Sequence, residues 1–410
     1  MTVGRCRFCA AELTRSFVDL GRSPLANSFL SADDLRRMEP FYPLHAYVCD
    51  NCRLVQLEEY ESAENIFGDY LYFSSYSELW LRHCRDYAEQ MVERYHLGES
   101  SLVVEIASND GYLLQYFKER GIGVLGVEPA ANVAKVAIDK GIATEIAFFG
   151  ADTARRLAAQ GGQADLTAAN NVLAHVPDLN DFVAGFKILL KPTGIATFEF
   201  PHLMRLIQNC QFDTIYHEHF SYFSLLVVDK LFARHDLAVF DVEELPTHGG
   251  SLRVFAAPVE AAALRSDRVD AVIAAERAAG LDRPGSYADF GNAVAEVKCR
   301  LLEFLIEARR EGKSVVGYGA PAKGNTLLNY CGVGTELISY TVDLSPHKQG
   351  RYLPGVQIPI YAPQRIFETR PDYVLMLPWN LKDEIATQMA GIRDWGGRFV
   401  VAIPTLTIIE

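Results

Sequence analysis

The chain has 410 residues, 49% hydrophobic and 22% charged, so a core of ordinary size can form without disulfide staples. Its 39 Lys and Arg against 52 Asp and Glu give a net charge of −13, which argues against a general polyanion binder and leaves room for one small anionic ligand. No secretory signal and no apolar run long enough for a membrane span occur, so a cytoplasmic chain with no membrane partner is expected.

Three regions separate by pattern: 1–75, 76–258 and 259–410. The first is short and turn-rich and holds Cys6-Arg-Phe-Cys9 and Cys49-Asp-Asn-Cys52, two CxxC knuckles separated by 39 residues. Each knuckle places two thiolates on one tight turn, and Cys6, Cys9, Cys49 and Cys52 together suit a tetrahedral structural Zn2+ that stabilises a segment with little core of its own. Four thiolates leave no open position for substrate. A DNA-binding zinc ribbon is disfavoured by the charge, so no nucleic acid partner is expected. Tyr70 to Ser75, at the junction with the second region, forms either a lid or interdomain packing.

Between 76 and 258, residues 102–107, 123–129, 164–173 and 194–201 read as buried strands alternating with helices, the pattern of a parallel sheet covered on both faces. Residues 237–245 and 251–257 lie too close for a crossover helix and read as an antiparallel pair at one sheet edge. The first strand leads into Glu105-Ile106-Ala107-Ser108-Asn109-Asp110-Gly111, and the next ends in Glu128-Pro129. An acidic residue about 20 positions downstream suits two ribose hydroxyls, in NAD enzymes and S-adenosylmethionine (SAM) enzymes alike. A loop with one glycine and two carboxylates repels a pyrophosphate and attracts an ammonium and a sulfonium, which favours SAM over NAD. Asn170, Asn171 and His175 follow the third strand, where side chains line the ligand crevice.

Tyr216, His217, Glu218, His219 and Tyr222 fall within seven residues. His217-Glu218-His219 could ligate a metal. The favoured reading makes one His a general base, with a neighbouring carboxylate fixing its tautomer and a Tyr donating a hydrogen bond. His248, Gly249 and Gly250 join the two late strands and allow a close backbone approach to substrate.

Residues 260–312 read as two helices. βα alternation then resumes with strands at 314–320, 336–343, 372–380 and 398–404. Gly317, Tyr318, Gly319, Lys323, Gly324 and Asn325 surround a helix N-terminus, which makes an anion site. Asp343, Lys348 and Arg351 after the next strand would suit the diphosphate of a sugar nucleotide.

Taken in order, the knuckles, VDLGRSPLANSF (18–29), SNDGYLL, ANNVLAHVPD, IYHEHFSYFS, HGGSLRVF and GYGAPAKGNTLLNY resemble the SAM-dependent C-methyltransferases that act on nucleotide-linked 4-keto sugars in antibiotic deoxysugar pathways. The resemblance covers the whole chain. It implies an N-terminal zinc-binding domain, a Rossmann-like class I methyltransferase core and a C-terminal second α/β domain. It implies that a dTDP-linked 4-keto-6-deoxysugar is methylated, with C-3 favoured, by an enolate formed at His219. Tyr216 and Glu218 then support the base, His175, Tyr216 and Tyr72 are candidate hydrogen-bond donors to the ketone oxygen, and Tyr72, or Tyr70, is the lid tyrosine. Phe149 of the Phe148-Phe149 pair would contact adenine. Ala107 and Ser108 replace the family's usual loop glycines, and Ala147 replaces an acidic adenine-binding residue. The competing readings are an NAD-linked sugar-nucleotide oxidoreductase and a zinc-ribbon interaction protein with an inactive core.

Overall fold

The computed structural model describes residues 4–62, 65, 74–76, 78–261 and 263–409. β1 (Arg15–Ser23), β2 (Tyr42–Val48) and β3 (Val55–Leu57) follow one another as an antiparallel sheet. In β2 the inward residues Leu44, Ala46 and Val48 alternate with less buried ones, the signature of a strand with one covered face. The sequence reading saw only turns here.

The middle sheet contains β4 (Leu102–Ile106), β5 (Gly123–Val127), β6 (Thr144–Glu145), β7 (Ala164–Asn170) and β8 (Leu190–Pro201), all parallel. The next strand in the chain, β9 (Ser221–Tyr222), leaves this sheet and pairs with β3, so the N-terminal sheet runs β1-β2-β3-β9. β10 (Leu237–Leu245) and β11 (Ser251–Pro258) form the expected antiparallel pair, and β11 inserts next to β8. The resulting order, β6-β5-β4-β7-β8-β11-β10, is that of a Rossmann-like class I methyltransferase core. Chain order reverses between β4 and β7, where an open α/β sheet binds its ligand.

Helices Asp267–Ala278 and Phe290–Arg310 occupy the stretch read as helical. Glu276 from the first is fully buried and accepts the backbone N–H of Leu225 and Leu226 and a hydrogen bond from His202 Nε2, which fastens this helix to the middle unit. Phe290 from the second stacks on Phe17 of β1 at 4.5 Å.

The C-terminal sheet contains β12 (Val315–Tyr318), β13 (Thr341–Val342), β14 (Ile360–Tyr361), β15 (Tyr373–Met376), β16 (Arg398–Val401) and β17 (Thr407–Ile409) in the order β14-β13-β12-β15-β16-β17. All are parallel except β17. The strand expected at 336–343 shrinks to two residues because Leu337 and Ile338 spend their N–H groups on a turn to Gly334. Among the described residues, no helix is long and apolar enough to cross a membrane.

Candidate active site

The two knuckles are built alike. Cys6 N–H bonds the Ala11 carbonyl and Cys49 N–H bonds the Leu54 carbonyl. Ala10 N–H returns to Cys6 and Arg53 N–H to Cys49, with Ala10 and Arg53 both in the left-handed region at φ 60° and 74°. The four sulfur atoms lie within 4.8 Å of one another, and Cys6–Cys52 and Cys9–Cys49 are each 3.5 Å apart. Zn–S bonds of ~2.3 Å place tetrahedral sulfurs ~3.8 Å apart, so the group fits zinc.

At the end of β4 the chain turns through Ala107, Asn109 and Gly111 at φ 59°, 48° and 77°. A loop with one glycine thus takes positive φ at two non-glycine residues, strain that gathers at ligand sites. Glu128 holds this shape, accepting Asn109 N–H at 2.9 Å and Ala130 N–H at 2.8 Å. Ser74 N–H donates to Asn109 Oδ1 at 3.0 Å, and Lys140 Nζ reaches the Asp110 carbonyl at 2.8 Å and Ser75 Oγ at 3.2 Å.

Glu105 is completely buried, and burial pushes its carboxyl well above the usual range. A hydrogen bond with Tyr112 opposes that shift, and Asp110 Oδ1, Asn170 Oδ1 and Asn171 Oδ1 are buried without a hydrogen-bond partner among the described residues. Orphaned buried acceptors ask for a donor. All three are oxygens at the carboxyl ends of β4 and β7, a set of acceptors that suits a cation such as the SAM ammonium and suits a pyrophosphate poorly. Pro129 is half-buried beside Glu128. Phe149 is partly buried and packs edge-on against Phe182 and Phe186 of the helix Leu179–Leu189, at 5.6 and 5.0 Å.

The histidine cluster follows. His219 Nδ1 lies 2.8 Å from the Thr214 carbonyl, which fixes its proton there, and Nε2 faces the Tyr216 hydroxyl at 2.9 Å. Its ring stands 4.7 Å from that of His175. Burial holds His219 well below the ordinary histidine range and His175 down at about 4, so both rings are neutral near pH 7. The expectation that a neighbouring carboxylate orients the base is corrected: Glu218 accepts from Asn27 Nδ2 at 2.6 Å, and the backbone carbonyl of Thr214 does the orienting. Burial raises the Glu218 carboxyl to about 7, with Asn27 and then Lys348 opposing the shift. His217 also points away, its Nε2 3.1 Å from the Pro43 carbonyl. Among the described residues the His217-Glu218-His219 stretch gathers no metal-ligand group. Tyr70 and Tyr72 lie outside the described residues.

His248 sits at φ 55°, followed by Gly249 and Gly250 at φ 88° and 118°. A Cβ on Gly249 would fall 2.5 Å from the Trp379 ring, so only glycine fits between Gln211 and Trp379. Burial lowers His248 to about 4, with Lys323 adding to the shift and Glu199 opposing it.

Across this gap lies the loop after β12. Lys323 Nζ donates to Asn380 Oδ1 at 2.7 Å and sits 4.5 Å from the Trp379 ring centre. Lys348 Nζ donates to the Ala320 carbonyl at 2.9 Å and sits over the Phe29 ring. Arg351 Nη1 is 3.5 Å from the Phe29 carbonyl. Asp343 accepts Ala320 N–H at 2.7 Å and Ser345 N–H at 2.8 Å. Two sequence-predicted ligand residues are turned elsewhere: Tyr318 Oη points to Gln388, 3.4 Å away, and Asn325 Nδ2 donates to the Ala26 carbonyl at 2.5 Å.

Sequence reasoning missed Thr214, which acts through its backbone. It missed Asn27, distant in the chain from Glu218. It also missed Asp213, whose buried Oδ2 accepts from Trp379 Nε1 at 2.7 Å and whose Oδ1 has no hydrogen-bond partner among the described residues. The only available signal for Asp213 was an acidic residue in an apolar stretch.

Three family models match this chain in order. "Putative zinc binding domain" covers residues 6–67, "Methyltransferase domain" covers 79–242 and "C-methyltransferase C-terminal domain" covers 246–404. The curated protein C-methyltransferase NovU of Streptomyces niveus is 38% identical over 408 residues, spanning 100% of this chain and 97% of its own. Among solved structures, the SAH-bound magnesium protoporphyrin IX methyltransferase ChlM of Synechocystis matches with a TM-score of 0.35 and 14% identity, over 50% of this chain and 92% of that one. The CcbJ methyltransferase of Streptomyces caelestis matches with a TM-score of 0.35 and 10% identity, over 43% and 89%.

Proposed function

Because the chain belongs to the family of SAM-dependent C-methyltransferases, we propose that it methylates a dTDP-linked 4-keto-6-deoxysugar at C-3, with His219 as the base that forms the enolate. The observation that carries this reading is the His219 ring itself. Its Nδ1 proton is held by Thr214, its Nε2 lone pair faces the Tyr216 hydroxyl, and burial keeps it unprotonated.

The acceptors of Glu105, Asp110, Asn170 and Asn171 hold the amino-acid end of SAM, and Glu128 takes the ribose. SAM supplies the electrophilic methyl group. Lys323, Lys348 and Arg351, with the backbone N–H groups that open the helix Ala322–Cys331, take the diphosphate. His248 and Gly249 line the sugar between these two ends, and the four cysteines hold zinc away from the chemistry.

A ketone α-proton is a far weaker acid than imidazolium, and each unit of mismatch costs ~1.4 kcal/mol. His219 alone does not close that gap. A hydrogen bond to the ketone oxygen contributes ~3 kcal/mol, and Tyr216 is placed to move its proton from Nε2 to that oxygen as Nε2 takes the α-proton. The neutral His175 ring beside His219 adds no charge that would disfavour the imidazolium.

The test is product structure. With SAM and a panel of dTDP-4-keto-6-deoxysugars, mass spectrometry and NMR should find one added methyl, on carbon C-3. Methylation on oxygen, on another carbon, or on none of the panel would reject the reading.

A further inference from the structure

We infer that the first cysteine knuckle positions the two active-site histidines, with Arg7 as the positioning residue that carries the contact. This rests on His219 as the base, and it gives the knuckle a part in the reaction beyond folding.

Arg7 lies between Cys6 and Cys9. Its guanidinium makes three contacts, all beside the histidines. Nη1 donates to the Pro177 carbonyl at 3.0 Å, two residues after His175. Nη2 donates to the Leu57 carbonyl in β3. The guanidinium carbon sits 5.2 Å from the centre of the Phe220 ring, next to His219 in the chain. Leu57 in turn donates its N–H to the Phe220 carbonyl at 3.0 Å, so the strand that Arg7 grips also grips the catalytic loop.

The backbone of the same knuckle is tied in twice more. Arg7 N–H donates to Gln56 Oε1 at 3.0 Å, and Gln56 Nε2 donates to Cys6 Sγ at 3.2 Å. Gln56 is buried and opposes Ser221 in the β3–β9 ladder. Asn180 Nδ2 donates to the carbonyls of Arg7 at 3.0 Å and Phe8 at 3.1 Å, which joins the knuckle to the helix that follows the His175 loop.

A CxxC turn closes around a metal with almost any residue in its second position. An arginine there gives up hydration of its charge, and its Nε finds no partner among the described residues. What it gains is the Pro177 carbonyl on the His175 segment and the Leu57 carbonyl on β3, the strand whose N–H holds Phe220 beside His219. The rings of His175 and His219 stand 4.7 Å apart. A displacement of ~1 Å at a reacting group costs ~10²-fold in rate, so a clamp on both segments bears on turnover while leaving ligand affinity alone. The N–H from Gln56 also serves as a hydrogen-bond donor to a metal-ligating sulfur, of the kind that orients ligands.

The experiment compares full-length Arg7→Met, Arg7→Lys and Gln56→Met with wild type and His219→Asn. It reads zinc per chain, adenosylhomocysteine affinity by calorimetry, kcat and KM separately, and kcat against pH. Arg7→Met should keep one zinc per chain, adenosylhomocysteine Kd within ~2-fold and KM within ~3-fold. Its kcat should fall ~10–100-fold. The acid limb of its pH profile should move up toward the ordinary histidine value as the loosened His219 gains water. Arg7→Lys, which reaches one carbonyl, should recover part of kcat. Wild-type kcat in Arg7→Met beside an inactive His219→Asn overturns the clamp and leaves the base standing. A kcat loss that only follows zinc loss overturns it as well. Should Arg7→Met fail to fold, Gln56→Met is judged by the same criteria. Full activity of His219→Asn would remove the base, and the clamp with it.

Discussion

In the middle sheet Glu128, just past β5, accepts the N–H of Asn109 from the loop after β4 and that of Ala130 two residues on. In the C-terminal sheet Asp343, just past β13, accepts the N–H of Ala320 from the loop after β12 and that of Ser345 two residues on. Both units therefore shape a βα loop by bonding it to a carboxylate on the neighbouring strand. They differ in what surrounds it. The first loop is ringed by carboxyl and amide oxygens from Glu105, Asp110, Asn170 and Asn171, the second by Lys323, Lys348 and Arg351. The comparison teaches that backbone form sets a place for a nucleotide-like ligand and side-chain charge selects its sign. In the proposed function the cationic methyl donor takes the first loop and the anionic nucleotide the second, which would put the sugar at His219.

That division can be broken most sharply at its centre. His219→Asn should lower kcat ~10²–10⁴-fold while calorimetry finds both ligands bound as in wild type; loss of either affinity would mean the histidine belongs to one of the two loops. Tyr216→Phe, which removes a hydrogen bond to Nε2 and a donor to the ketone, should cost ~10²-fold in kcat with KM little changed.

The two loops should then separate in binding. Glu128→Ala leaves the N–H groups of Asn109 and Ala130 unpaired and should weaken SAM by ~1–3 kcal/mol, about 5–150-fold, with the sugar-nucleotide KM unaffected. Lys348→Met should do the reverse, raising that KM ~10-fold and sparing SAM. Equal effects on both ligands from either variant would dissolve the comparison.

The smallest effects are pH-dependent. Glu218 is raised to about 7, so the native state binds the extra proton between the ordinary carboxylate value and that pH. Stability from this group is therefore lost as pH rises through about 7. Glu218→Gln should raise Tm relative to wild type at pH 8 and leave it unchanged at pH 4 in thermal melts.

The parts of the site that were legible in the sequence are local. A CxxC knuckle, the SNDG turn and Glu128 each declare themselves within a few residues, because one turn or one strand end fixes what they can do. The parallel sheet followed from alternating buried strands and helices, and its antiparallel edge from two strands too close for a crossover. What escaped was set by distance or by backbone. Glu218 stands next to His219 in sequence, but its side chain leaves on the other side and meets Asn27, 191 residues away. A carbonyl, that of Thr214, orients His219, and a carbonyl has no signature in sequence. β9 is two residues long and pairs with a strand from the far end of the chain, so no periodicity announces it. Phe149 reads as an aromatic near a ligand loop, and what the pattern does not show is the close approach of Gly185, which leaves room for the edge of its ring.

The most direct measurement is solvent exchange at the sugar carbon without methyl transfer. The enzyme is incubated in deuterated water with adenosylhomocysteine and a dTDP-4-keto-6-deoxysugar, and the C-3 proton is followed by NMR. Wild type should replace it with deuterium well above the enzyme-free rate, and His219→Asn should not. Equal exchange in both proteins, or none in wild type under conditions where it methylates the same sugar, would contradict enolate formation at His219.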